Sequence, residues 1–282
     1  RGKDSYIILN EVGNAIDIIY EAAEKTGEYE FISTEDALQL ADSDSMIIVV
    51  DTHIPALSEC PEILDKVKTV VVIDHHRKSK DAIENPTIIH MESYASSASE
   101  LVTEILQYAV DKDDISGFEA DALLAGITVD TKNFAINTGV RTFEAAAWLR
   151  RVGADSASVR RFFRMNLDFF KKKCNIINNA EILDGGIAVA YTKDSDPDMQ
   201  VIVAQAADEL LDMRGVCAAF TAGRSKDKTL ISGRSLEKVN VQTVLEKLGG
   251  GGHINIAAAQ VDEGPEEAIA SVVKIIREIG LM

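Results

Sequence analysis

Cysteine is scarce in this chain: Cys60, Cys174 and Cys217 are the only three among 282 residues. They lie far apart and match neither a zinc spacing nor a paired framework, so a disulfide scaffold is excluded and a reducing compartment fits. All three read as packing residues. Basic residues are also few, 29 against 46 acids, for a formal charge of -17. That balance disfavours a sequence-blind grip on nucleic-acid backbone and excludes duplex nucleic acid as the expected partner. A phosphate substrate therefore needs metal ions or a local basic pocket. No run approaches the ~20 apolar residues that span a bilayer. The segment opening at Arg1 lacks a secretion-signal pattern, so a soluble chain with no direct membrane contact is expected. Repeats and low-complexity tracts are missing, apart from the run Gly249 to Gly252.

What is present is ordinary globular usage, 46% hydrophobic and 27% charged, which argues against disorder and suffices for two cores. Short Val- and Ile-rich runs alternate with helical periodicity, the mark of an α/β protein with buried parallel strands. Strands are expected at Ser5 to Leu9, Met46 to Val50, Thr69 to Ile73 and Thr87 to His90. Helices are expected near Ala15 to Thr26, Ser97 to Ala109 and Glu119 to Ile127. From about Ser156 a long charged helix carrying Arg160, Arg161, Arg164 and Lys171 to Lys173 reads as a connector. A smaller mixed domain follows, with strands at Ile187 to Tyr191, Val216 to Ala222 and Thr229 to Ser235. Its helices are expected near Val201 to Met213, Asn240 to Leu248 and Pro265 to Ile279.

Three apolar runs end in acids. Val70 to Ile73 leads into Asp74, His75, His76, Arg77 and Lys78; Met46 to Val50 leads into Asp51, Thr52 and His53. Ile127 to Val129 leads into Asp130, Thr131, Lys132 and Asn133. Ligands of open α/β sheets collect outside the carboxyl ends of strands. Each acid alone equally suits a turn or cap, with the histidines solvated beside it. Taken together, Asp51, His75 and Asp130 offer hard oxygens and one nitrogen, a set that suits Mn²⁺ better than a structural zinc site. His90 reads as structural.

Ser96 and Ser97 open a helix whose free N–H groups could dock a phosphate; ordinary N-capping closed by Glu100 is the other reading. Arg141 either reaches a phosphate or pairs with one of the many acids. In the second domain, Gly249 to Gly252 before His253 can bring bare backbone to a ligand, whereas a flexible loop or helix cap explains one or two of the glycines. Arg234 and Ser235 end the preceding strand. If that end faces the loop, Arg234, Asn240 and His253 form a polar pocket for an anion or nucleobase; otherwise Arg234 is a surface cation.

The motifs Val49-Val50-Asp51-Thr52-His53, Ile73-Asp74-His75-His76-Arg77, Glu92-Ser93-Tyr94-Ala95-Ser96-Ser97, Gly126 to Phe134, Arg141 to Ala145 and Gly249 to His253 occur in one order. With them the chain resembles the DHH/DHHA1 phosphoesterases over nearly its whole length, most closely the GdpP-type cyclic-di-AMP phosphodiesterases. The resemblance implies a parallel-sheet DHH domain over 1–155, a helical connector over 156–184 and a mixed α/β DHHA1 domain over 185–282. It implies two Mn²⁺ ions bridged by Asp51, with His75 and Asp130 each ligating a metal and His76 beside the scissile phosphate. His53, Asp74, Ser96, Ser97 and Arg141 would contact phosphate or support the ligands. Arg234, Ser235, Gly250, Gly251, Gly252 and His253 would hold the substrate. Such enzymes also carry an earlier strand ending in His-x-x-x-Asp-x-Asp, and nothing before Asp51 matches it. The chain is thus expected to start after that motif, with its metal site half built. Ile54 departs from the basic residue common there in relatives.

The implied reaction opens cyclic-di-AMP to linear pApA in the cytoplasm, in the cytoplasmic part of a membrane-anchored parent or a free protein, with a homodimer as a possible assembly. The alternatives are a nanoRNase-like hydrolase of short oligonucleotides or phosphoadenosine phosphate, a non-catalytic nucleotide-binding module, and a structural scaffold with solvated acids.

Overall fold

The computed structural model of the protein describes residues 4–13, 16–236 and 239–280. It divides between Arg164 and Met165 into two compact units. Ala15, the expected start of the first helix, lies outside the described residues.

In the first unit, β1 (Ile7–Ile8) and β2 (Phe31–Ile32) form a short parallel pair. Between them runs α1 (Asp17–Thr26), and after them α2 (Thr34–Leu40), capped by the Ser33 side chain. A second parallel sheet holds β3 (Met46–Val50), β4 (Thr69–Asp74) and β5 (Ile88–Met91), in that order. The central strand β4 buries Val70, Val72, Ile73 and Asp74, as a strand covered on both faces must. The edge strand β3 leaves Met46, Ile48 and Val50 more than half exposed.

Four helices follow: α3 (Ala98–Ala109), α4 (Gly117–Asp130), α5 (Val140–Arg151) and α6 (Ser156–Phe162). They pack around Leu124, Ile127, Trp148 and Leu149. Ser116 and Glu119 form a capping box at the start of α4, satisfying N–H groups the helix itself leaves open. Gly126 lets α4 lie close on α3, since a Cβ there would collide with the Ser99 side chain. The apolar run before Asp130 is accordingly the last turn of a helix and not a sheet strand. A period-free stretch such as Ile127-Thr128-Val129 cannot tell the two apart.

The long helix expected from Ser156 is two helices. α6 ends at Phe162, and Asn166 caps a new one, α7 (Leu167–Asn178), by accepting the Asp168 N–H at 2.7 Å. That polar cap marks the start of a separate helix. α7 belongs to the second unit, where Lys173 is buried and its ammonium lies 2.9 Å from Glu209 Oε1.

The second unit adds β6 (Glu181–Leu183), β7 (Ile187–Ser195), α8 (Met199–Leu211), β8 (Ala218–Ser225), β9 (Lys228–Ser235), α9 (Val241–Glu246), β10 (Gly251–Gly252), β11 (Ile256–Val261) and α10 (Pro265–Glu278). Its sheet runs β10-β11-β9-β8-β7-β6, parallel only between β7 and β8. Along β8, Ala218, Phe220 and Ala222 face the core under α9 and α10, while Ala219 faces the core under α7 and α8. Helices thus cover both faces, and β8 is apolar without alternation. β11 was not expected, because Ala257, Ala258 and Ala259 carry little strand preference; pairing with β9 makes it a strand.

Candidate functional site

Asp51 follows the last residue of β3 with φ of 62°, a left-handed conformation that Asp tolerates better than most residues. His75 follows β4 and Asp130 closes α4. His75 Nε2 lies 3.4 Å from Asp51 Oδ1 and 3.7 Å from Asp130 Oδ2. The Nδ1 on its far side lies 3.4 Å from the Ala95 carbonyl oxygen. A proton held at Nδ1 by that carbonyl leaves Nε2 as the metal-facing atom. His76 joins the group: donor atoms of Asp51, His75 and His76 all lie within 4.8 Å of one another. After Asp130 the chain turns through Lys132, Asn133 and Phe134, all with positive φ. Three such residues in succession are costly, and strain of this kind gathers at functional sites.

Electrostatics mark the cluster as cation-seeking. His75 is raised above the usual imidazole range, chiefly by its hydrogen bond to Asp51, against its burial and with help from Ala95 and Asp130. Asp130 is raised by burial and by the charge of Asp51. Asp51 and Asp130 each place a carboxylate oxygen within 3.7 Å of His75 Nε2, a mixed oxygen and nitrogen set that fits a divalent ion.

Asp74 is fully buried and serves its neighbours. Its Oδ2 accepts from His53 Nδ1 at 2.5 Å; its Oδ1 accepts from the His76 backbone N–H at 3.1 Å and from His76 Nδ1 at 2.7 Å. Burial would raise this carboxyl, but the hydrogen bonds from His53 and His76 outweigh it and hold the group below its ordinary range. His53 is 2% exposed, and its Nε2 accepts the Ser79 N–H at 2.8 Å. Both its nitrogens are engaged, so His53 meets Asp74 and not a phosphate.

Other candidates have partners within the protein. The Ser97 side chain accepts the Glu100 N–H, and the buried Ser96 hydroxyl donates to Glu100 Oε2 at 2.5 Å, which is the capping reading. Arg141 is clamped by Glu104 at 2.6 and 2.7 Å and reaches Glu92 at 3.2 Å, so its guanidinium is held by acids.

In the second unit a cavity of about 300 Å³ is lined by Arg234, Gly251, Gly252, His253, Gln200 and Ser232, among others. Arg234 Nε lies 3.3 Å from Asp208 Oδ1, and its Nη1 donates to Ser232 Oγ at 2.9 Å. Ser235 does not line the cavity: its buried hydroxyl donates to the Val239 carbonyl at 2.5 Å. Side chains alternate along a strand, so Ser232, two residues before Arg234, takes the place expected of Ser235. Gln200, on α8, carried no local signal. Asn240 caps α9 through the Thr243 N–H and stands outside the cavity lining. Gly250 has no room for a Cβ against the Ala258 carbonyl, nor Gly252 (φ 144°) against the Ile256 carbonyl. The hairpin therefore demands these two glycines whatever it binds, and Gly250 lies outside the cavity lining.

A parallel α/β unit gathering acids and imidazoles, together with a mixed-sheet unit holding a cavity beside a cation, defines a two-domain protein with a candidate divalent-metal centre. Residues 5–127 match the DHH family, N-terminal domain, and residues 184–279 match the DHHA1 domain. The chain belongs to the DHH/DHHA1 family. It is 41% identical over 93% of its length to the cyclic-di-AMP phosphodiesterase GdpP of Bacillus subtilis (strain 168), and 42% identical over 82% of its length to the cyclic-di-AMP phosphodiesterase PdeA of Listeria monocytogenes serotype 1/2a. It spans 41% and 36% of the length of these two relatives. In fold it is similar to the crystal structure of an exopolyphosphatase-related protein from Bacteroides fragilis, with a TM-score of 0.76 at 17% identity over 97% of this chain and 82% of that one. Among the described residues, no helix is long and apolar enough to cross a membrane.

Proposed function

We propose that this chain is the hydrolytic part of a manganese-dependent cyclic-di-AMP phosphodiesterase that releases linear pApA. The observation that carries the reading is the approach of the Asp51 and Asp130 carboxylates to His75 Nε2, in a chain that aligns over 93% of its length with a protein named a cyclic-di-AMP phosphodiesterase.

Asp51, His75 and Asp130 would hold divalent metal, and a ring nitrogen of His76 lies within 4.8 Å of the donor atoms of Asp51 and His75. A divalent ion supplies Lewis-acid charge to the phosphoryl group and eases deprotonation of the attacking water. The remaining work falls to the chain's own groups. Ala95 fixes the His75 ring. Asp74, backed by His53, fixes the His76 ring with Nδ1 engaged, so that Nε2 is the atom left to meet a phosphoryl oxygen or the leaving 3′ oxygen. Arg234 and His253 line the second unit's cavity and would orient the remaining nucleotide. Unpaired thiols support a reducing, cytoplasmic setting.

The test is hydrolysis of cyclic-di-AMP by the full-length gene product, with and without Mn²⁺, and with product analysis against a short oligonucleotide and phosphoadenosine phosphate. Formation of pApA only with Mn²⁺ is expected. Faster turnover of the oligonucleotide or phosphoadenosine phosphate overturns the substrate assignment, and nucleotide binding without any turnover overturns the enzyme.

A further inference from the structure

His76 borders two neighbourhoods. One is the acid and histidine cluster; the other is a cleft of about 340 Å³ walled by His76, Lys78, Ile89, Met91 and Ser93. Its volume falls in the range that accommodates a small ligand. Ile89 and Met91 are alternate residues of β5 and so share one face, in register with Val72 and Asp74 of β4. They make an apolar floor that starts at the strand end carrying Asp74 and runs along β5. β5 is an edge strand, and Ile89 is 47% exposed. Lys78 and Ser93 are exposed, and the next residue, Tyr94, leaves its side chain in solvent at 95% exposure. A cation, a hydroxyl and an imidazole above an apolar floor match a nucleotide unit: the base and ribose suit the floor, and a phosphate suits the ammonium. In a chain of net charge -17, an exposed lysine within three residues of the candidate metal ligand His75 is well placed to offset the field that repels an anionic substrate.

We propose that this cleft is a nucleotide subsite of the metal centre, seating the nucleoside next to the cleaved phosphate on Ile89 and Met91, with Lys78 pairing to the substrate's second phosphate. The proposal rests on the phosphodiesterase reading and adds to it a substrate contact within the first unit, separate from the Arg234 and His253 cavity.

The test compares Lys78→Met with wild type in the full-length gene product with Mn²⁺, on cyclic-di-AMP and on bis(p-nitrophenyl) phosphate, which has no second phosphate. The expected result is a KM for cyclic-di-AMP raised about tenfold, the loss of one charge-assisted contact, with a several-fold smaller change on bis(p-nitrophenyl) phosphate. An unchanged KM, or equal losses on both substrates, overturns the proposal. Binding of AMP is followed separately by ¹³C-methyl methionine NMR. The Met91 methyl is expected to shift on titration, and Ile89→Ser to weaken the Kd severalfold. If wild type cleaves neither diester, the phosphodiesterase reading fails, and a Met91 signal unmoved by AMP then overturns the subsite as well.

Discussion

Asp74→Asn exchanges one oxygen for an amide nitrogen at a group with no exposed surface. The substitution tests the hydrogen-bond chain behind His76. The Ser79 N–H occupies His53 Nε2, so His53 must carry its proton at Nδ1 and donate to Asp74. The His76 backbone N–H and Nδ1 both meet the other oxygen. An asparagine can keep its carbonyl toward His76 only by turning its NH₂ toward the His53 N–H, two donors face to face. Flipping the amide instead sacrifices both His76 contacts. The cheaper arrangement loses a hydrogen bond to a charged group, about 1.5–3 kcal/mol, and strands a buried donor, about 1–3 kcal/mol. A loss of roughly 3–5 kcal/mol in the first unit's stability is expected, measured by urea unfolding of metal-free protein, because the argument requires no metal. Rescue is expected in the double variant with His53→Gln, whose carbonyl can accept from the new amide. A loss under about 1 kcal/mol, or no coupling between the two positions, would refute the assigned donor pattern.

Asp130→Asn should weaken Mn²⁺ binding at least tenfold by titration calorimetry, about the least that changes around a metal ligand cost, with thermal stability retained; unchanged affinity removes Asp130 from the ligand set. Gly252→Ala should destabilise the second unit by about 1–3 kcal/mol, since it forces a Cβ into the Ile256 carbonyl at φ 144°. Gly251→Ala, with nothing within 4 Å of its Cβ position, should leave the melting temperature within error, and equal effects would contradict the hairpin geometry. The Asp196 carboxyl is held below its ordinary value: its burial would raise it, but the Lys172 ammonium at 2.5 Å prevails. Its stabilisation is therefore present above the unfolded carboxyl value, about pH 4, and fades as pH falls through the lower folded value. The stability gap between wild type and Asp196→Asn should be level above about pH 5 and close below it; a gap that widens on acidification would reverse the assignment.

The alternation of buried runs and amphipathic stretches in the sequence carried the α/β class and the places of β3 and β4, because a strand covered on both faces is written as uninterrupted Val and Ile. It did not carry β11, whose alanines are strand-forming only in company, nor the break at Asn166, where one polar cap separates two helices. Within the candidate site, the acids stood out because each closes an apolar run, although Asp130 does so from a helix. What stayed hidden was direction. Ser235 adjoins Arg234 in sequence but points to the other face of β9, and the period-2 alternation of the strand puts Ser232 beside Arg234 instead. The division of labour among Asp51, Asp74 and Asp130 was equally hidden, since burial separates the carboxylate that supports histidines from those open to a ligand.

The outer edge of β3 has a consequence for handling the protein. Met46 to Val50 is five apolar residues without proline, charge or bulge; Val49 is buried and Ile47 half-buried, while Met46, Ile48 and Val50 meet solvent. Natural edge strands carry lysine, proline or a bulge to prevent one molecule from templating the next. This one carries no such gatekeeper, so concentrated solutions of the 282-residue chain should grow strand-paired aggregates from β3 outward, and a single lysine at Ile48 should slow that growth without touching either cavity.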